Sequence, residues 1–178
     1  SFRTSLALGE YKESEETPWP TADITTDKQT LKAIAQLTPD PKETAPYLSN
    51  EEKILWQTRM AEHVMAMSDL TADVLDIISA AWLTQAPYPE ATIDITADDF
   101  LAYRGIKPQK SGSGRRGGYK SEFRREIAKH ISILDNTWLT VFEMQVTENV
   151  DGKGKRRNWA GQSKAVVVSS RFGQTNLV

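Results

Sequence analysis

Between Ser49 and Leu134, apolar residues return every three or four positions in three separate runs. Trp56, Met60, Val64 and Met67 form the first. Leu70, Val74, Ile77, Ile78, Ala81 and Trp82 form the second, and Phe123, Ile127, Ile131 and Leu134 the third. That spacing places each set on one face of an α-helix. The longest apolar-rich stretch, Val74 to Leu83, is broken by Asp76 and Ser79, so no run reaches the roughly 18–20 residues of a membrane span. The chain is therefore expected to fold by packing amphipathic helices in water.

Local signals set the helix ends. Ser49-Asn50-Glu51-Glu52 is a capping-box pattern, in which the serine hydroxyl and the glutamate side chain each satisfy the other's backbone amide. The first helix is predicted from there to about residue 67, the second over 71–83, with Pro87 and Pro89 closing it. Thr96 with Asp99 predicts a short helix that carries Phe100, Leu101 and Tyr103 and stops at Gly105, where Ile106 supplies the apolar contact. Ser121 is predicted to cap the last helix, to about Leu134, with Lys120, Arg124, Arg125 and Lys129 off its inward stripe.

Strand signals flank these helices. Residues 91–95 alternate and are rich in β-branched types. Residues 138–146 read as a strand and 149–154 as a turn. A second strand is expected through Ala165, Val166, Val167 and Val168 towards Phe172. The two would form a β-hairpin whose loop carries Lys153, Lys155, Arg156 and Arg157. Residues 1–48 hold five of the eight prolines and an acidic stretch over 10–16. They are expected to be a poorly ordered, acidic, Pro-containing extension. A short helix over 27–37, with Leu31, Ile34 and Ala35 on one face, would end at Thr38-Pro39. The folded unit would then be 49–178. The chain starts at Ser1 and ends just after a strand-like run, and is expected to be a piece of a longer protein.

The net charge of −2 conceals a division. Residues 1–99 carry 7 basic and 18 acidic residues, whereas residues 100–178 carry 15 and 6. Such asymmetry points to a polyanionic partner for the basic half. The alternative is an acidic half that packs on the basic one. Within 104–129 there are nine basic residues (Arg104, Lys107, Lys110, Arg115, Arg116, Lys120, Arg124, Arg125 and Lys129) against Glu122 and Glu126. Nine like charges repel one another unless a partner neutralises them.

The order helix, short strand, helix, helix, strand, basic loop, strand over residues 70–172 resembles the winged-helix fold, a helix-turn-helix variant with a β-hairpin wing. The resemblance implies an α+β fold with preceding helices. In it, residues 96–104 would be the positioning helix, 121–134 the recognition helix and 153–157 the wing tip. A recognition helix presents its N-terminal residues to base edges in the major groove. It therefore implies DNA contacts from Tyr119, Lys120, Arg124 and Arg125, with Arg124 and Arg125 the candidates for base reading. The wing cations would touch phosphate or the minor groove. The connection 105–118 is longer than the usual 3–4 residues. Its Gly-rich basic segment is expected to order on phosphates, in preference to the alternative of a passive loop.

Other chemistries have little support. The chain has no cysteine, which excludes disulfides, thiol catalysis and Cys-bound zinc. It has two histidines, His63 and His130, on separate predicted helices and no HxH motif, which argues against Tyr119 as a nucleophile. His130 is expected to pack or to face solvent. The glycine-rich segment lacks the G-x-x-x-x-G-K-[ST] phosphate loop. Asp94, Asp98 and Asp99 read as a cap and solvent-facing charges in preference to a magnesium site. Trp159 reads as a hairpin anchor in preference to a base-stacking ring.

The expectation is a non-enzymatic, cytoplasmic, nucleoid-associated protein that binds double-stranded DNA, with no cofactor, metal, membrane or small-molecule ligand. A homodimer through the preceding helices is a candidate assembly. The architecture is similar to that of plasmid replication initiator proteins. A transcriptional regulator, a winged-helix protein-interaction module and, more weakly, RNA binding through the Gly-Arg loop are the alternatives.

Overall fold

The computed structural model describes residues 1–13, 17–26, 31–40, 47–88, 91–110, 112, 117–150 and 153–168, with backbone alone for 146–150 and 153–156. Among the described residues the fold is α+β, with five helices and one four-stranded antiparallel sheet. In chain order the elements are α1 (Phe2–Leu8), β1 (Thr21–Asp23), β2 (Leu31–Leu37), α2 (Asn50–Ala66), α3 (Asp69–Gln85), α4 (Ala97–Tyr103), α5 (Ser121–Asp135), β3 (Thr137–Val150) and β4 (Lys153–Lys164). The strands lie in the order β1-β2-β3-β4. No helix among the described residues is long and apolar enough to cross a membrane.

The helix ends follow the local chemistry. Ser49 Oγ accepts from the Glu52 amide, and the Glu52 carboxylate accepts from the Ser49 amide at 2.9 Å. Ser68 and Thr71 make the same reciprocal pair at the start of α3, as do Thr96 and Asp99 at α4. At the end of α4, Gly105 has φ +72°, a conformation that a β-carbon disfavours. Its amide donates to Ala102 O and that of Ile106 to Leu101 O, which satisfies two otherwise orphaned carbonyls. The α5 start departs from expectation. Lys120, not Ser121, is the cap residue, and no side chain bonds there.

The core sits between the helices and one face of the sheet. Met60 of α2, Val74 of α3, Phe100 and Leu101 of α4, and Ile127, Ile133 and Leu134 of α5 are buried with Ala22, Ala33, Ala35 and Leu37 of the sheet. Burying a large apolar side chain contributes about 2 kcal/mol each, so the seating of α4 on Phe100 and Leu101 is firm. The α5 stripe is rotated from its expected position. Phe123 is 39% exposed, whereas His130 and Ile133 are buried. Phe123 instead lies under Lys120 Nζ, 5.6 Å from the ring centroid.

The N-terminal region is not a loosely ordered extension in its described parts. Leu6, Tyr11, Ala22 and Ile24 are buried in the same core. The helix expected over 27–37 is instead strand β2 over Leu31–Leu37, residues 27–30 lying outside the described set. The reason is a period of two. Ala33, Ala35 and Leu37 face the core while Lys32, Ile34 and Gln36 do not, and β1 and β3 satisfy the backbone on both sides.

Two further strand expectations are corrected. Residues 91–95 form no strand and are not part of the sheet of the described residues. The segment is held instead by Trp82, whose Nε1 donates to Ala91 O at 3.0 Å, and by Ile95 against the core. In the hairpin, the second strand is Lys153–Lys164 and not 165–168. Asn149 pairs with Gly154 and Val150 with Lys153, so the six residues expected in the turn include four that pair in the ladder; residues 151–152 lie outside the described set. Backbone pairing along β3 decides this, since an edge strand can be polar and still complete a ladder. The run 165–168 leaves the sheet after Ala165 N donates to Thr137 O. Phe172 lies outside the described residues.

Among the described residues β2 accompanies β3 as far as Met144. The β3–β4 ladder continues from the Gln145–Asn158 pair to the Val150–Lys153 pair. At about 3.3 Å per residue this stretch of the ladder spans roughly 20 Å.

Candidate nucleic-acid interface

Helix α5 has one buried face and one exposed face. Ile127, His130, Ile133 and Leu134 are buried, whereas Lys120, Ser121, Glu122, Phe123, Arg124, Arg125, Glu126 and Lys129 are exposed. The burial of one face by the core and α3 fixes which side chains point outwards. Arg125 and Lys129 have no ion pair among the described residues. Lys120 lies 3.4 Å from Glu122 within the first turn, a surface pair that contributes little.

Arg124 is different. Its Nε donates to Asp98 Oδ1 at 2.5 Å and its Nη2 to Asp98 Oδ2 at 2.8 Å, a bidentate bridge from α5 to α4. The Asp98 carboxyl is held below its usual range by these bonds, and the Arg124 guanidinium is raised by the same partner. Sequence reasoning missed this pair, since nothing local connects positions that lie 26 residues apart.

The glycine-rich segment is pinched at its base. Gln109 and Gly118 exchange both backbone hydrogen bonds, at 2.9 and 3.0 Å. Gly118 adopts φ +112°, so a side chain there is strained. Lys107 and Lys110 are exposed beside this pinch, without an ion pair among the described residues. Arg115 and Arg116 lie outside the described residues. Tyr119 is half-buried against the core rather than presented outwards.

Arg104 is brought to a separate cluster. It lies 3.5 Å from Asp73 of α3, which is also 3.7 Å from Arg3, while Arg3 bonds Asp76 at 2.7 Å. This network joins α1, α3 and α4 and takes Arg104 up in an internal pairing. The hairpin cations take strand positions instead of loop positions. Lys153 pairs with Val150, Lys155 with Glu148, Arg156 with Thr147 and Arg157 with Val146. Arg157 is exposed. The hairpin is tied to α5 directly, as only Asn136 separates α5 from β3. Trp159 is 49% exposed and packs over Gly161, where an added β-carbon would meet the ring at 2.8 Å.

Two histidines are tuned by burial. His130 Nδ1 lies 2.8 Å from Thr71 Oγ1, and its Nε2 lies 3.2 Å from Glu126 Oε1. Thr71 Oγ1 already accepts from the Ser68 amide. The Glu126 carboxylate can only accept, so His130 Nε2 carries the proton that it donates there, and Nδ1 of the neutral ring accepts from the Thr71 hydroxyl. Burial pushes the His130 pKa down, against the pull of Glu126. His63, on α2, is pushed down to about 4 by burial and by the nearby Arg59 and Lys129. Both rings are therefore neutral at pH 7 and act as packing groups.

No protein-family model, curated protein or solved structure matches this chain.

Proposed function

We propose that this chain binds double-stranded DNA with sequence preference. Helix α5, the glycine-rich basic segment and the β3–β4 hairpin are the contacting elements of a winged-helix arrangement that serves plasmid-type replication initiation. One observation carries the reading. The exposed face of α5 bears Lys120, Arg124, Arg125 and Lys129, while its opposite face is buried. A helix so anchored is suited to enter a major groove, and Arg125 and Lys129, which have no ion pair among the described residues, gain by displacing counterions from phosphates. The helix order α3-α4-α5 followed by a hairpin supports the same reading.

Fluorescence anisotropy with a labelled mixed-sequence duplex tests it. Replacing Lys120, Arg125 and Lys129 together by alanine is expected to weaken binding at least about tenfold, as three phosphate contacts are removed. The fold should be unaffected, because all three side chains are exposed. Unchanged affinity would remove α5 from the interface.

A second reading, a protein-interaction module, is favoured by the outward face of α2, where Ile54, Leu55 and Met65 are 63%, 71% and 88% exposed. Under that reading the wild-type chain shows no salt-sensitive duplex binding at all.

A further inference from the structure

We infer that Asp98 is a positioning residue that aims Arg124 at a guanine edge. The inference rests on the DNA-binding reading of α5 and adds how one base would be read. A guanidinium is a rigid plane with five N–H groups. Asp98 takes one N–H from Nε and one from Nη2, the side-on edge of the plane. The end-on pair, one N–H each from Nη1 and Nη2, has no partner among the described residues. That pair has the spacing that matches guanine O6 and N7. Asp98 leaves this edge open.

The carboxylate sits on a firmly held element. The Thr96–Asp99 capping box fixes the start of α4, the Gly105 turn fixes its end, and Phe100 and Leu101 are buried beneath it. On the other side the guanidinium lies beside Gly118, where a β-carbon would stand 3.6 Å from Nη2. Gly118 is itself pinned by the two backbone hydrogen bonds it exchanges with Gln109. Arg124 is thus confined between α4 and the base of the glycine-rich segment while remaining 44% exposed. Neighbouring Arg125 has no such support among the described residues, which suits a phosphate contact rather than a base contact.

The test selects bound sequences from a pool of labelled duplexes with a randomised centre, using the full chain. Wild type is expected to enrich a motif with a fixed guanine. Asp98→Asn is expected to lose preference at that position by about tenfold while keeping the rest of the motif. Arg124→Lys, which keeps the charge but not the fork, should lose the same position. The double variant should lose no more than either single one, and Asp98→Glu should restore the preference in part. Thermal unfolding of Asp98→Asn, expected to match wild type, separates aiming from folding. If Asp98→Asn enriches the wild-type motif unchanged, or binds every duplex more tightly with unchanged preferences, the positioning role is overturned. Wild-type binding without any preference would also overturn it and leave DNA binding standing. A wild-type chain that binds no duplex would defeat both.

Discussion

His63 shows how a single side chain links stability to pH. Its ring is half-buried, its Nδ1 has no hydrogen-bond partner among the described residues, and Arg59 and Lys129 oppose a further positive charge. Its pKa falls from 6.5 unfolded to about 4 folded. The unfolded chain therefore binds the proton more readily. The stability this contributes is fully present above about pH 6.5 and is lost as pH falls towards 4, by at most about 3 kcal/mol. His130 shifts in the same direction. Urea denaturation at neutral and mildly acidic pH should show this loss, and His63→Leu should reduce it. An identical pH profile in the variant would contradict the assignment. His130 also marks a limit of sequence reading at this scale. As a polar residue it falls outside an apolar stripe, yet the buried hydroxyl of Thr71 on α3 makes its interior position satisfiable. The stripe was therefore read from Phe123, which turns outwards.

Elements with local signals were legible and those built by distant pairing were not. α2, α4 and the glycine stop after Tyr103 follow from residues within four positions of one another, and the structure places them as expected. α3 was legible from its stripe alone, and it begins two residues earlier than expected because Ser68 caps it. β2 was misread because Leu, Lys, Ala and Gln are good helix formers. Its strand character comes from register with residues 137–144, far along the chain. β4 was misplaced for the complementary reason. The valine run over 166–168 has the stronger strand propensity, but the polar stretch before it is what faces β3. Leu37→Ala should cost about 3 kcal/mol in urea denaturation, and a cost below about 0.5 kcal/mol would return β2 to a peripheral role. Gly161→Ala should displace the Trp159 ring, shift the tryptophan emission and destabilise the hairpin by about 1–2 kcal/mol. An unchanged emission spectrum would contradict the packing of that ring over Gly161.

For the molecule as a whole, the near-neutral charge is a cancellation between two halves that share one sheet. Residues from the acidic half supply β1 and β2, and the basic half supplies β3, β4 and α5. Ion pairs cross between the halves at Asp98–Arg124, Asp73–Arg104 and Lys32–Glu143. Arg125, Lys129, Lys107 and Lys110 have no such pair among the described residues. The charge asymmetry was legible in the composition, and so was the exposed α5 row. The side-on clamp on Arg124 was not, because it forms only when α4 and α5 meet. If the remaining cations meet phosphates, duplex binding depends steeply on salt. Duplex affinity of the full chain should be measured between about 50 and 200 mM salt. If about six cations neutralise phosphates, log affinity should fall against log salt with a slope of about −5, a loss of roughly a thousandfold over that range. A slope near zero, or no binding at the lowest salt, would contradict the account.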